Sequence, residues 1–451
     1  MKNLYFFFCL VLSFQVYSQP TFTEHFHTRL PNDTYTSIQP ADMDSDGDLD
    51  LVAVLVDDGD EILSWFENVG VDSDFIRHDI AAGKAGLSQI AIADFDGDGD
   101  NDIVAIAVFD DEMTYYSNLD NGINFSETLL YTAEGFYGME AMDTDLDGDK
   151  DLVFSSYITL FEDETFIWEN PGNGDFLSVN KKKIADVKSN LIKGGDFDKD
   201  GDVDLLIYDN SLDLYLNDGS GSYQATAISS GVAYESIEVV DVDKDGDVDI
   251  TLGSVIGKSL TQLVNNYPNF DSKSIQSSIR VDNFTSSDFD EDGNLDYVII
   301  DENDGILYLF TTEDGTSYSS EILTEDFLLN SSLFAEDFNN DDKPDIAACN
   351  IRGLYIFENT TITAISENPF ELAISLFPNP AVEKINIHFP EKGDFYPESF
   401  FIHNLEGKVV KYGKFDIDRN QIGIKDLSIG SYILTLQFDK KNSASVLFQK
   451  I

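Results

Sequence analysis

From about residue 34 to residue 359 the chain alternates short apolar runs with polar turns, and the alternation recurs in blocks that read as four strands each. The first strand runs up to an acidic turn, as in Gln89-Ile90-Ala91-Ile92-Ala93. The second leaves that turn as a β-rich apolar run, seen at Leu51–Val56, Ile103–Val108, Leu205–Ile207 and Tyr297–Ile300. The third alternates and closes on an aromatic-rich segment often ended by Asn, as in Trp65-Phe66-Glu67-Asn68, Tyr115-Tyr116-Ser117-Asn118, Trp168-Glu169-Asn170 and Phe357-Glu358-Asn359. After a turn rich in Gly, Asn and Asp, a fourth strand opens on Phe75, Phe125, Phe176, Tyr223, Phe270 or Tyr318. No amphipathic helix of useful length interrupts the region. The aromatic positions, Trp included, read as core between packed sheets rather than as sugar platforms.

The acidic turn occurs seven times, starting at Asp42, Asp94, Asp143, Asp196, Asp241, Asp288 and Asp337. A spacing of roughly 49 residues marks a repeat architecture, and four antiparallel strands per repeat predict a propeller blade. An open β-solenoid is the alternative, but its repeats are usually shorter. The seventh repeat runs out after Asn359 without a fourth strand, while Thr21–Phe26 precedes the first repeat as a spare strand with Phe22 at the aromatic position. An all-β, seven-bladed ring closed by that N-terminal strand leaves no exposed sheet edge at the junction.

Within each turn, carboxylates at positions 1, 3, 5 and 9 converge only around a positive charge, and a Gly at position 6 permits the bend. Position 7 offers its backbone carbonyl. All-oxygen ligation suits a hard cation, and Ca²⁺ tolerates a crowded, irregular shell better than Mg²⁺. The predicted ligands are Asp42, Asp44, Asp46, Asp48 and Asp50; Asp94, Asp96, Asp98, Asp100 and Asp102; Asp143, Asp145, Asp147, Asp149 and Asp151. They continue with Asp196, Asp198, Asp200, Asp202 and Asp204; Asp241, Asp243, Asp245, Asp247 and Asp249; Asp288, Asp290, Asp292, Asn294 and Asp296; and Asp337, Asn339, Asp341 and Asp345. One Ca²⁺ per blade, up to seven, is expected. The last loop should bind most weakly, because Asn339 replaces a carboxylate, Asp342 the turn Gly, and Lys343 brings a positive charge.

An EF-hand would need Glu at position 12, where this chain has Ala53, Ala105, Phe154, Ile207, Leu252, Ile299 and Ala348. Thrombospondin-type calcium arrays repeat far more tightly. The Asp at position 9 followed by an apolar β-run instead resembles the calcium hairpins of integrin-α-type propellers and bacterial FG-GAP/VCBS repeats. The bland alternative, a solvated acidic turn, fits one copy better than seven in register.

Charge divides the chain. Residues 371–451 carry ten acidic and ten basic side chains, so the whole net charge of −58 lies in residues 1–370. Seven divalent cations would offset only part of it, and the remaining acidity argues against nucleic acid or an anionic membrane as partner. Residues 1–18, with Lys2 and the apolar run Leu4–Phe14, read as a secretory signal peptide, too short for a transmembrane span. Cys9 lies inside that run without a lipoprotein cleavage context, so no lipid anchor is expected. Its removal leaves Cys349 alone, and no intrachain disulfide is then possible.

Residues 19–360 are expected to form the propeller, 361–370 a linker and 371–451 a small β-sandwich. The sandwich carries Leu376-Phe377-Pro378-Asn379-Pro380-Ala381, Asn404-Leu405-Glu406-Gly407-Lys408, Asp426-Leu427-Ser428-Ile429-Gly430-Ser431-Tyr432 and a basic end. These ordered matches resemble the C-terminal sorting domain of type IX secretion substrates. The resemblance implies a Bacteroidota bacterium, recognition by the type IX machinery, export across the outer membrane, and removal of the domain at the surface.

No G-x-S-x-G, H-E-x-x-H, Cys–His pairing or phosphate-binding Gly loop stands out among the five His and many acids. The expected function is therefore non-enzymatic binding or adhesion, with an extracellular glycan or protein as ligand. The alternative is a polysaccharide lyase or hydrolase whose two carboxylates need no local motif.

Overall fold

The computed structural model describes residues 19–27, 34–57, 59–70, 73–159, 162–230, 232–325, 327, 332–350, 352–361, 375–388, 397, 399–404, 408–415, 419–437 and 443–451. The expected signal peptide and nearly all of the expected linker lie outside them. The chain divides into two compact units, residues 1–362 and 363–451.

Apart from one short 3₁₀ turn, the described residues of the first unit form only strands, in seven four-stranded antiparallel sheets. Blade 2 is representative: Leu87–Ala93, Asp102–Ala107, Glu112–Asn118 and Phe125–Thr132, paired in sequence order. Its second strand is buried along its whole length, because neighbouring blades cover both faces, so the apolar run is continuous rather than alternating. Its outer strand is largely exposed and reads more polar. The innermost strands are Thr34–Ala41, Leu87–Ala93, Gly135–Met142, Leu191–Gly195, Ser236–Val240, Asn283–Ser287 and Leu333–Glu336. Each packs against the next, and the last returns to the first. The ring is closed with seven blades.

The N-terminal strand completes blade 7. Phe22–His27 runs antiparallel to Gly353–Asn359 on the outside of that sheet, with Phe22 opposite Asn359. Phe125 opposite Asn118 and Tyr223 opposite Asn217 share this register. The seam extends through Thr360 N–H donating to Thr21 O at 2.8 Å and a hydrogen bond between His25 Nε2 and Glu358 Oε2 at 2.8 Å.

Blade 3 departs from the expected pattern. Phe176 does not open its fourth strand but sits in a 3₁₀ turn, Phe176–Ser178, and the strand follows at Lys182–Ala185. Asn170 Oδ1 accepts from the amides of Gly172 and Gly174, both with positive φ, and this tight turn delivers the Phe176 ring into the core before the chain can pair. The Trp side chains are core: Trp65 and Trp168 are buried, and their indole N–H groups donate to Gly122 O and Val179 O. Cys349 is buried in blade 7 with its thiol pushed up to about 12 by burial.

The second unit is a sandwich of two sheets. One pairs Ser375–Phe377, Lys384–His388 and Gln421–Gly423; the other pairs Val409–Lys414, Ser399–Asn404, Gly430–Gln437 and Ser443–Lys450. Ile385, Ile387 and Ile422 from the first meet Ile402, Leu434, Leu436 and Phe448 from the second in one apolar cluster.

Candidate metal centre

All seven acidic turns join an inner strand to the second strand of the same blade, so they share one face of the ring. Their backbone is nearly identical. At position 6, Gly47, Gly99, Gly148, Gly201, Gly246 and Gly293 have φ between 93° and 103°, open to glycine and strained for other residues. The position-6 amide donates to Oδ2 of the position-1 Asp in every loop, at 2.7–3.1 Å. The position-7 amide donates to Oδ1 of position 5 in every loop, at 2.7–3.1 Å.

The Asp at position 9 is a two-sided clamp. Asp50, Asp102, Asp151, Asp204, Asp249, Asp296 and Asp345 are all buried. One oxygen of each accepts from the amide of loop position 2, as Met43 N–H does to Asp50 at 2.8 Å and Phe95 N–H to Asp102 at 3.1 Å. The other accepts from the residue closing the third strand, as Asn68 N–H does to Asp50 at 2.8 Å and Asn118 N–H to Asp102 at 2.7 Å. In blade 6 Thr312 takes the place of Asn.

Burial of these carboxylates disfavours their charged form. It pushes Asp204 and Asp345 up to about 6, Asp50 and Asp102 up to about 7, and Asp296 up to about 8, despite the opposing amide hydrogen bonds. Asp290 rises to about 6 through burial and then repulsion by Asp292.

Oxygens of Asp42, Asp44 and Asp50 lie within 4.8 Å of one another. The same holds for Asp94, Asp96 and Asp102; Asp143, Asp145 and Asp147; Asp196, Asp198 and Asp204; and Asp241, Asp243 and Asp249. Asp42 Oδ1, Asp96 Oδ1, Asp196 Oδ1, Asp290 Oδ2 and Asp292 Oδ2 are buried and lack a hydrogen-bond partner. A cation is the partner such a set fits, because uncompensated buried carboxylate oxygens are costly. These clusters can therefore hold metal ions.

Position 7 plays a different part. Asp48 accepts from Asn340 of loop 7 at 2.7 Å, Asp100 from Ser45 of loop 1 at 3.1 Å, and Asp247 pairs with Lys199 of loop 4 at 3.0 Å. These side chains link neighbouring loops, and Asp247 Oδ1 is likewise buried without a hydrogen-bond partner. Loop 7 keeps the shared backbone with Asp342 at φ 67°, while Lys343 Nζ lies 3.7 Å from Asp341.

Sequence reasoning missed how the closing Asn acts between blades. Asn68 donates to Phe338 O, Asn118 to Met43 O, Asn170 to Phe95 O, Asn265 to Phe197 O and Asn359 to Phe289 O, all at 2.8–3.0 Å. Each acceptor is position 2 of the preceding blade's acidic loop. The recurrence of Asn was visible, but its partner lies 68–75 residues back, or 270 forward at the ring closure.

A closed ring of seven four-stranded blades with an acidic hairpin on each defines an integrin-α-type repeat propeller. The FG-GAP-like repeat model matches residues 42–105, 94–154, 196–251 and 288–348, and the chain belongs to that family. The secretion system C-terminal sorting domain matches residues 375–449, which places the protein among those secreted across the outer membrane to the cell surface or beyond. Among the described residues no helix is long and apolar enough to cross a membrane. No curated protein matches the chain. Among solved structures it is similar to BBS1N, determined in complex with ARL6DN, at 10% identity and TM-score 0.50, covering 77% of this chain and 98% of that one. It is also similar to the extracellular domain of the hybrid two component system BT4673 from B. thetaiotaomicron, at 14% identity and TM-score 0.47, covering 97% of this chain and 60% of that one.

Proposed function

We propose that the protein is a calcium-stabilised surface module that captures an extracellular glycan or protein without turning it over. Each loop holds one Ca²⁺ through positions 1, 3, 5 and 9 and the position-7 carbonyl, seven in all, with loop 7 the weakest. The ion supplies positive charge to carboxylates that are otherwise buried against one another. The observation that carries this reading is the position-9 clamp: the buried Asp ties each acidic loop to the third strand of its own blade, which leaves the ring as a rigid support. The type IX sorting domain delivers that support to the outside.

Binding to glycan and protein arrays should be saturable in Ca²⁺ and fall in EDTA, while a polysaccharide panel should show no cleavage. Reproducible cleavage that disappears on replacing two carboxylates would overturn the reading in favour of a lyase or hydrolase.

A further inference from the structure

On the face opposite the acidic loops, blades 3 to 5 gather four tyrosines. Tyr137 lies in the inner strand of blade 3, Tyr157 and Tyr208 end the second strands of blades 3 and 4, and Tyr234 precedes the inner strand of blade 5. Tyr137 and Tyr157 have ring centroids 5.7 Å apart, and Tyr208 and Tyr234 5.5 Å. All four are half-buried. A cleft of about 520 Å³ is lined by Tyr137, Tyr208 and Tyr234, with Tyr157 behind Tyr137, and bordered by Asn190, Asn210, Lys188 and Asp209. That volume falls within the range of roughly 300–1,000 Å³ typical of small-ligand sites.

Local sequence builds this cleft. A Cβ on Gly138 would lie 2.6 Å from Ser189 O, so only glycine lets the lead-in of blade 4 pass against the inner strand of blade 3. The Gly138 amide donates to that same carbonyl at 2.7 Å. A Cβ on Gly135 would overlap the Tyr157 ring at 2.1 Å. Two glycines thus flank Tyr137 and bring it beside Lys188–Asn190. The rings are held by their hydroxyls: Tyr208 donates to Val232 O at 3.1 Å, Tyr137 to Asp163 at 3.4 Å, and Tyr234 shares a bond with Ser229 at 3.2 Å. Fixed aromatic rings present contact area with little entropy left to lose.

We propose that this cleft binds a neutral oligosaccharide, which makes the glycan arm of the proposed function specific and rests on that reading. Sugar C–H faces pack on the tyrosine rings. The Asn190 and Asn210 amides donate and accept at once, as sugar hydroxyls require. Asp163, Asp209 and Glu235 around one Lys188 leave the rim net negative, which disfavours acidic polysaccharides. Among the described residues Leu191 is the one aliphatic side chain lining the cleft, and those residues form no deep apolar anchor pocket of the kind a protein interface uses.

The test uses the full chain in millimolar Ca²⁺ against neutral gluco-, galacto-, manno- and xylo-oligosaccharides by titration calorimetry. The double variant Tyr137→Ala/Tyr208→Ala should weaken binding at least about tenfold. Asn190→Trp, at an exposed position on the cleft border, should do the same with unchanged melting. Binding that survives both changes would overturn the cleft while leaving ligand capture standing. Binding of only acidic polysaccharides or only proteins would overturn the neutral-sugar assignment. No binding of any kind would overturn both.

Discussion

Five junctions between blades are made one way and two another. Where Asn68, Asn118, Asn170, Asn265 or Asn359 reaches back to the preceding loop, position 2 of that loop is Phe338, Met43, Phe95, Phe197 or Phe289. Each of these large side chains is fully buried in a cluster with the following blade. The outer strand of that following blade is led by Phe75, Phe125, Phe270 or Phe22, and in blade 3 Phe176 fills the same place from the 3₁₀ turn ahead of the strand. At the junctions of blades 3 with 4 and 5 with 6, position 2 shrinks to Thr144 or Val242, and the leading aromatic becomes Tyr223 or Tyr318. Asn217 turns to Val203 O and the Tyr223 hydroxyl, and Thr312 stands where the other Asn would be. A lysine from the preceding blade then closes each gap, Lys182 onto Gly221 O and Lys273 onto Gly315 O. The difference teaches that volume is conserved across a junction while its hydrogen bonds are rebuilt: a smaller side chain on one blade is met by a larger, polar ring on the next.

Every Asn bridge ends on an acidic-loop carbonyl, so removing the cation should strike five junctions together. With roughly 10 mM Ca²⁺ and site affinities of about 10⁻⁴–10⁻³ M, each filled site stabilises the fold by about 1.4–2.7 kcal/mol. Chelation should therefore lower the melting temperature more than any single substitution. It should also expose a pH dependence. Without the ion, burial holds Asp204, Asp50 and Asp296 at about 6, 7 and 8, so the folded chain keeps these protons more tightly than the unfolded chain. That stabilisation is complete below about pH 4 and is lost as pH climbs through 6 to 8. Melting in EDTA should fall from pH 5 to 8, and Ca²⁺ should flatten the curve. Identical melting with and without chelator would leave the loops as acidic turns and the bridges independent of metal.

The next largest effect should come from the closing blade, where the bridge of Asn359 and the lead of Phe22 come from opposite ends of the propeller. Deleting residues 20–27 removes an entire outer strand and exposes the apolar edge of blade 7. A loss of several kcal/mol is expected, on the scale of the most damaging single changes. A deletion product that melts like the parent would show that the ring does not need this seam.

The two junction types predict a smaller, sharper contrast. Asn118 is buried, donates to Met43 O and accepts from Gly122 N–H at 2.8 Å, so Asn118→Ala strands groups on two blades. A cost of about 2–4 kcal/mol follows from leaving them unpaired. Asn217→Ala should cost about half that, because its bonds stay within blade 4. Equal losses in urea unfolding would mean that the bridge to the neighbouring loop adds nothing.

Much of this was legible along the chain. The period, the strand pattern and the spare N-terminal strand fixed the blade count and the closure, because strand alternation and turn residues act locally. The meeting of the position-1, position-3 and position-9 Asp in loops 1, 2, 4 and 5 was legible for the same reason. The junction code was not. Asn118 and Met43 meet only because two separate blades stack, and Thr144 with Tyr223 makes sense only once the gap between them is seen. The tyrosine cleft was hidden likewise: Tyr137, Tyr208 and Tyr234 sit in unlike contexts along the sequence, and Gly138 marks their meeting point only in three dimensions.

Loop 7 offers the finest test, because it keeps the shared backbone with the wrong residue at the bend. Asp342 N–H donates to Asp337 at 2.7 Å, as the glycines do in the other loops, but at φ 67° a side chain crowds the backbone. Left-handed geometry costs a non-glycine residue about 1–2 kcal/mol, somewhat less for Asp. Asp342→Gly should therefore stabilise the propeller by about 1 kcal/mol, a rise of roughly 1–3 °C in melting temperature for a domain of this size. The Asp342 side chain is exposed, so losing its charge should matter little. The gain should persist in EDTA, since it comes from the backbone. Lys343→Asp, which frees Asp341 of its neighbouring ammonium, should by contrast help only when Ca²⁺ is present. If the glycine variant gains stability only with Ca²⁺, the bend is not strained and loop 7 differs from its six counterparts through its ligands alone.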